Sequence, residues 1–322
     1  MIWVGWRQQR VEAAIAAAML VIVAAVAIPV GVHMASVYTH EGLRLCTGTL
    51  SPASPCNVTV ASFLTRFSDM NVLFIWSSVL SALTALLFAA PFVLDLDSGT
   101  YRLFWTQSIT RRRWIVTKLG LCALGALAIA IALSALATWS RAPLDHLNGR
   151  MSTNVYDIEG IVPVAYAVFA LGVAVALGAI WRRTVPALLG AFIVYIVGRA
   201  FMDSWLRQRL ITPVKTIWPA SKLGPNLNNA LVIDQFVSDK SGKMIAPLGG
   251  GPCVRSSHGG LLTHTTSVCS QPVPRGAHVY MTAIYQPASR FWELQGIEFA
   301  IVAGIGALLV LLAGWWTYRR IA

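Results

Sequence analysis

The residues that could carry out chemistry are few and form no recognisable catalytic pattern. Gly242-Lys243 is followed by Met244, so the chain lacks the Gly-x-x-x-x-Gly-Lys-Ser/Thr pattern with which a P-loop binds nucleotide phosphates. His258 and His264 lie in a glycine-rich stretch without the His-Glu-x-x-His pattern of a zinc site, which favours solvated loop histidines. The Gly-x-Ser-x-Gly pattern of a hydrolase is also absent. We therefore expect no enzyme active site, no cofactor and no metal in this chain.

The cysteines are better suited to structural disulfides than to catalysis. Cys46 and Cys56 lie in one polar segment, Cys253 and Cys269 lie in another, and Cys122 lies inside an apolar run. Disulfides persist in oxidising compartments, so two local pairs, Cys46 with Cys56 and Cys253 with Cys269, are the economical arrangement. Metal or redox chemistry is the alternative, but no Cys-x-x-Cys spacing supports it.

Titratable groups inside apolar runs could instead carry protons or ions across a membrane. His33, Arg199 and Glu298 are the candidates, and each lies near the end of its run. We interpret all three as residues at the membrane interface. The sequence therefore gives ion-coupled secondary transport little support.

Long apolar runs are the elements that must position these residues. Hydrophobic residues make up 56% of the 322 residues and charged residues only 12%, about half the share in a soluble domain. A helix of about 20 residues crosses a hydrocarbon core of about 30 Å. The fifth run is shorter and ends before Arg199, which can snorkel to the interface. We predict six transmembrane helices, at residues 13–40, 70–94, 119–140, 160–181, 184–198 and 299–318.

The basic residues predict how these helices are oriented. Short segments rich in Lys and Arg remain in the cytoplasm, and here they alternate along the chain, which places both termini in the cytoplasm and segments 36–69, 141–159 and 203–293 outside. The net charge of +12 is spread beside the spans rather than along one stripe. Lipid headgroups, rather than nucleic acid, are therefore the expected counterions.

The outward segment 203–293 is too long for a simple loop. Residues 230–237 and 278–285 mix β-branched and aromatic side chains, as short strands do. The predicted fold is an all-α polytopic membrane protein of six transmembrane helices, with a small β-containing extracellular domain between the fifth and sixth. We predict three divisions of the chain. Residues 1–202 hold the first five transmembrane helices, with extracellular loop 36–69 and cytoplasmic segment 95–118. Residues 203–293 form the extracellular domain, and residues 294–322 hold the sixth helix and a cytoplasmic tail.

The cytoplasmic segment 95–118 carries the most informative residues. Phe104 and Trp105 stand between Arg102 and the run Arg111-Arg112-Arg113, a pattern typical of an amphipathic helix at the membrane interface. Such a helix could dock on a cytoplasmic partner. A positively charged anchor without any partner is the alternative interpretation.

A resemblance to a known family favours the docking helix. An acidic residue precedes Gly99-Thr100, and Trp-Thr-Gln-Ser-Ile-Thr-Arg-Arg-Arg-Trp follows at 105–114. This pattern resembles the signature of ABC transporter permeases of the type-two exporter family, and its spelling is similar to actinobacterial members. The stretch from Tyr285 to Trp292, with Gln295 to Glu298 after it, resembles the entry to the last span of such proteins. With the six-span layout, the resemblance covers most of the chain.

The resemblance implies that the segment is a coupling helix seated in a groove of a separate ABC ATPase subunit, where ATP and Mg would bind. It also implies the bacterial plasma membrane as location. Asp97 stands where the family often has Glu, which keeps the charge. The positions that match the family's coupling pattern are Asp97, Gly99, Thr100, Gln107, Thr110, Arg111 and Lys118.

The resemblance further implies a homodimer whose second and fifth spans line a shared substrate cavity. One stripe on each of these spans carries aromatic and hydroxyl side chains, which suit an amphipathic substrate. Helix packing is the alternative, since small hydroxyl residues are favoured between membrane helices. In the sixth span, Gly296, Ala300 and Gly304 predict a close helix contact. The cavity candidates are Phe74, Ser77, Ser81, Thr84, Phe88, Phe192, Tyr195 and Arg199.

These observations together predict the permease subunit of an ATP-driven exporter of a hydrophobic or amphipathic drug, lipid or peptide. The chain would perform no covalent chemistry of its own. A module for antibiotic or peptide sensing or resistance, whose extracellular domain binds the ligand, is the alternative function. An intramembrane or extracellular enzyme is a further alternative, but the required catalytic constellation is absent.

Overall fold

A computed structural model describes residues 2–46, 55–102, 110–220, 224–225, 227, 229–247 and 280–320 of the chain. Within these residues, six helices are long and apolar enough to cross a membrane, as the sequence predicts. Gln107, Cys253, Cys269, His258, His264 and the side chain of Phe74 lie outside the described part. The spanning helices are α1 (Ile2–His40), α3 (Asp69–Asp97), α4 (Arg111–Asn148), α6 (Val162–Trp181), α7 (Thr184–Phe201) and α9 (Phe291–Arg320). The short helix α5 (Thr153–Tyr156) lies in the connection between α4 and α6.

The fifth span is longer than the sequence predicts. α7 continues through a π-helical turn, Met202–Leu206, into the short helix α8 (Arg207–Leu210). Arg199, Asp203 and Arg207 recur every four residues along this extension, so they lie on one face of the helix. These charged residues find partners on neighbouring helices. The span therefore does not have to end before Arg199.

The second and fourth spans, α3 and α6, form the centre of the bundle. Small residues permit this close packing: Ala82, Ala85 and Ala174 are fully buried. A Cβ atom built on Gly178 of α6 would lie 2.5 Å from the side chain of Val93 in α3. Small residues are favoured at membrane helix contacts because they let helices approach closely.

The small residues that bring the sixth span close to the bundle differ from the predicted ones. A Cβ atom on Gly296 or Gly304 would meet no other atom within 4 Å, so the prediction for these glycines is wrong in the described structure. The close contact is made by Gly306, where a Cβ would lie 2.7 Å from the backbone of Phe169 in α6. The face that a helix buries depends on its partner helix. In the sixth span, the buried face is rotated away from the stripe of Gly296, Ala300 and Gly304.

A disulfide and an apolar cluster hold the first polar connection in place. Cys46 and Cys56 are bonded, as predicted, with their Cα atoms 5.5 Å apart. They connect the end of α1 to helix α2 (Pro55–Arg66). Phe63 of α2 is buried with Met34 of α1 and Leu144 of α4. Helix α2 is therefore packed against the ends of two spans. Cys122 is a free, buried thiol.

A four-stranded antiparallel sheet forms from β1 (Val214–Pro219), β2 (Leu231–Ser238), β3 (Met244–Pro247) and β4 (Tyr280–Gln286). The strand order is β1-β4-β2-β3. β2 and β4 coincide closely with the two predicted strands, whereas β1 and β3 add an edge strand on each side. Asp239 fixes the turn between β2 and β3, because its Oδ1 accepts hydrogen bonds from the backbone N–H groups of Ser241 and Lys243, 2.8 and 2.9 Å away.

Candidate functional site

One end of the bundle collects the predicted coupling residues, and we call it the basic end, defined by Arg102, Arg111, Arg182 and Arg319. Here Asp97, the last residue of α3, accepts two hydrogen bonds from Thr184, one from its backbone N–H and one from its hydroxyl, both at 2.8 Å. Thr184 is the first residue of α7, and a carboxylate there satisfies a free N–H at a helix start. Asp97 therefore ties the end of the second span to the start of the fifth.

A buried ion pair ties the second span to the third at the same end. Nζ of Lys118 in α4 lies 2.6 Å from Oδ2 of Asp95 in α3, and Lys118 is only 3% exposed. The hydroxyl of Thr100 donates a hydrogen bond to the other oxygen of Asp95 at 3.0 Å. Lys118 and Thr100 therefore position the helices that flank the predicted coupling segment. Lys118 is too buried to contact a partner protein directly.

The coupling segment begins with a left-handed turn at Gly99. Gly99 has φ +72°, a left-handed conformation that glycine adopts without strain, and a Cβ there would meet no atom within 4 Å. Its role is thus conformational rather than steric. The exposed Thr110 directly precedes α4, and Arg111 is its first residue. Trp114 is buried, with its ring stacked on Phe92 at 5.8 Å.

The predicted cavity residues of the second span are buried within this single chain. Ser77, Ser81, Thr84 and Phe88 are each no more than 5% exposed. The hydroxyls of Ser81 and Thr84 donate to carbonyl oxygens of their own helix, at 3.0 and 2.9 Å. The ring of Phe88 packs against Gly125 of α4. This arrangement favours helix packing for these residues.

The fifth-span candidates lie nearer to polar groups. Phe192 is half-buried and stacks on the buried Tyr195. Arg199 donates hydrogen bonds to the hydroxyl of Ser78 in α3 at 2.7 Å and to the Tyr195 hydroxyl at 3.2 Å. Its other terminal nitrogen pairs with Asp157 at 3.1 Å. Arg199 therefore links two spans to the connection between the third and fourth.

At the end of the bundle opposite to the basic end, a buried charge network surrounds Arg207. Its guanidinium is fully buried and pairs with Asp157, with Asp203 at 2.6 Å and with Glu298 at 3.0 Å. Tyr166 of α6 donates a hydrogen bond to Glu298 at 2.9 Å. The carboxylate of Glu298, near the start of the sixth span, is 0% exposed and lies inside the bundle rather than on its surface. The network joins the fourth, fifth and sixth spans.

A second cluster of four charges lies beside this network. Arg141 of α4 pairs with Glu159 at 2.8 Å, and Arg150 lies 3.3 Å from Asp145 and 3.6 Å from Glu159. Burial, and then the neighbouring Asp145 carboxylate, raise the pKa of Glu159 to about 8. Glu159 therefore holds a proton more readily than an ordinary carboxyl does near neutral pH, and it can share that proton with Asp145.

Gln295 of the sixth span forms hydrogen bonds with the connection between the third and fourth spans. Its amide nitrogen donates to the carbonyls of Tyr156 and Glu159, at 3.1 and 3.0 Å. Its amide oxygen accepts from the backbone N–H groups of Ile161 and Val162. All four contacts come from one fully buried side chain. The entry to the last span is thereby fixed to residues 156–162.

A comparison with families of known proteins matches residues 17–207, more than half of the chain, to the family described as ABC-2 membrane transporter related. The chain belongs to the ABC-2 membrane transporter related family. Together with the six apolar helices, membership makes it a membrane permease of an ABC transporter, a class that pairs with an ABC ATPase subunit and is generally not itself catalytic. No curated protein and no solved structure matches the sequence at a significant level.

Sequence reasoning missed most of the permease's buried charges. Asp157 and Glu159 fall in a connection without periodicity, and nothing local indicates their partners. Two weak signals did exist. Gln295 and Glu298 are three residues apart, which places them on one helix face, and Arg199, Asp203 and Arg207 follow a four-residue spacing.

Proposed function

We propose that this permease couples ATP hydrolysis by a separate ATPase subunit to the export of an amphipathic substrate. Two permease copies and two ATPases would form the working unit, with ATP and Mg bound by the ATPases. The observation that carries the proposal is the set of contacts around the coupling segment. Asp95 of the second span pairs with Lys118 of the third, and Asp97 of the second span accepts hydrogen bonds from Thr184 of the fifth. A displacement of the segment would therefore be transmitted to the second, third and fifth spans together.

The proposed orientation places the basic end in the cytoplasm of a bacterial cell. Short basic connections favour the cytoplasmic side, and the Cys46–Cys56 disulfide lies toward the opposite end, in keeping with an oxidising exterior. The four-stranded sheet would then stand outside the membrane. Both termini would be cytoplasmic.

The substrate path is proposed between the second and fifth spans. Among the candidates whose side chains the structure describes, Arg199 and Phe192 keep exposed surface in one chain. Ser77, Ser81, Thr84 and Phe88 would reach the substrate only when α3 separates from its neighbours, since all are buried in the described arrangement. ATP-driven movement at the basic end is the proposed cause of that separation.

The experiment that tests coupling replaces Gly99 with Val. A β-branched residue is strained at positive φ, so the turn that begins the coupling segment would be rebuilt without any steric clash. We expect transport-stimulated ATP hydrolysis to fall about 5-fold or more, the lower end of typical coupling strengths, while membrane insertion is kept. Gln107→Ala is expected to act in the same direction. The measurement is an ATPase assay on the permease co-purified with its ATPase.

Gly42→Val is the matched control for this experiment. Gly42 has φ +65° and likewise no atom within 4 Å of a built Cβ, but it lies beside α1 at the opposite end of the bundle. It imposes the same backbone strain without touching the coupling segment. Equal hydrolysis in wild type, Gly99→Val and Gln107→Ala would leave residues 98–113 as a simple anchor and would refute the proposal.

Thiol labelling tests the proposed orientation. Single cysteines at Ser98, exposed at the basic end, and at Ser241, exposed in the β2–β3 turn, can be introduced one at a time. An impermeant maleimide is expected to label position 241 in intact cells and position 98 only after permeabilisation. The buried thiol of Cys122 should stay unlabelled in both cases. Labelling of position 98 in intact cells would reverse the orientation.

A further inference from the structure

A cleft between the third and sixth spans opens at the basic end. It has a volume of about 410 Å³, within the range of small-molecule sites. Ile115 and Leu119 of α4 form one wall and Val310 and Leu311 of α9 the other. The cleft extends along α4 from Arg112 to Ala123, which at about 1.5 Å per residue is roughly 16 Å. That length is about half of a hydrocarbon core of about 30 Å, the depth of a single leaflet.

Glycines create the space in this cleft. A Cβ atom built on Gly120 would meet nothing within 4 Å, so this wall is open. Gly314 lines the cleft on α9, where a Cβ would lie in close contact with Leu119 at 3.3 Å. A larger residue at either position would narrow the cleft. The width of the cleft therefore depends on the absence of side chains at Gly120 and Gly314.

The mouth of the cleft has the chemistry of a membrane interface. Arg112 lines it, is exposed, and makes no hydrogen bond or ion pair with any residue in the described ranges. Trp315 and Tyr318 line it as well, and both residue types favour the headgroup level of a bilayer. The guanidinium of Arg319 lies 5.4 Å from the Trp315 ring. None of the lining residues is acidic, so the mouth is positively charged.

We propose that this cleft is a binding site for an anionic glycerophospholipid, with one acyl chain along Gly120 and the phosphate at Arg112. An apolar cleft one leaflet deep suits an acyl chain, and the cationic mouth complements a negative headgroup. A water-soluble ligand would have no polar partner along the walls. The site shares Arg112 and Ile115 with the end of the coupling segment, whereas it contains no residue of the charge network. Lipid binding there can be measured without the partner ATPase.

The site is tested by native mass spectrometry of the full chain in detergent, titrated with palmitoyl-oleoyl phosphatidylglycerol or with the matching phosphatidylcholine. We expect phosphatidylglycerol to bind about 5-fold more tightly, the contribution of one arginine near a lipid surface. Arg112→Gln should remove this preference while weak binding of both lipids remains. Gly120→Leu should weaken the binding of both lipids at least 5-fold, because the new side chain occupies the acyl path.

Gly304→Leu is the matched control, since Gly304 also lies in a spanning helix with no atom within 4 Å of a built Cβ, but it is not among the residues that line the cleft. It lies seven residues before Leu311, about 10 Å further along α9. It should bind both lipids as the wild type does. Equal affinity for the two lipids in the wild type would overturn the headgroup assignment. Unchanged lipid binding in Gly120→Leu would overturn the site. If that variant instead altered only the oligomeric state, the cleft would be occupied by a second copy of the chain, which also overturns the proposal.

Discussion

Replacing Arg207 with Met is expected to reduce the free energy of unfolding of the permease by about 3–5 kcal/mol, the usual cost of removing one partner from a buried ion pair. Arg207 is fully buried and is the common partner of Asp157, Asp203 and Glu298. Met fills a similar apolar volume along the side chain but leaves Glu298 without a cation. Unfolding in detergent by increasing denaturant measures the change.

Arg209→Met is the control for this substitution. Arg209 lies two residues further along α8, is exposed, and makes a hydrogen bond and a cation–π contact with Trp205. A change of less than about 0.5 kcal/mol is expected there, as for most surface substitutions. The double variant Arg207→Met with Glu298→Gln should recover part of the lost stability, because the buried negative charge is removed as well. Equal unfolding of Arg207→Met and Arg209→Met would show that the network does not stabilise the fold.

Replacing Lys118 with Met is expected to lower the free energy of unfolding by a similar amount, about 3–5 kcal/mol, because Asp95 is then buried without its cation. The same variant should reduce transport-stimulated ATP hydrolysis, since the proposed coupling segment would lose its fixed attachment to the third span. Unfolding and ATPase activity are measured on the same preparation. Arg113→Met, which removes an exposed charge at the same helix start, serves as the control.

The partner of Lys118 can be tested by a second substitution. Asp95→Asn combined with Lys118→Met removes both charges, and the pair is expected to recover more than half of the stability lost in Lys118→Met alone. ATP hydrolysis should recover less than stability, since the direct link between the two spans stays broken. A double variant no more stable than Lys118→Met would mean that Asp95 is not the group that Lys118 stabilises.

Local sequence patterns determined a large part of this protein. Charge-free runs of about 20 residues can be satisfied only as spanning helices, because every backbone polar group in a bilayer needs an internal partner. Cys46 and Cys56 are close in sequence on either side of a short segment, which made their pairing predictable. The β-branched and aromatic composition of β2 and β4 is also a local property, and so is the glycine at the left-handed turn of residue 99.

The alignment of one helix with another was decided by the tertiary structure alone. Lys118 matched the family's coupling pattern, but only the packing of α3 on α4 shows that it reaches Asp95. Arg207 meets Asp157 and Glu298 across 50 and 91 residues of chain, and the sixth span buries Gly306 rather than Gly296 and Gly304. A helical period fixes which residues share a face, but it does not fix the rotation and axial shift between helices. Those are set by close packing of small residues at the centre of the bundle, which then determines which charges meet.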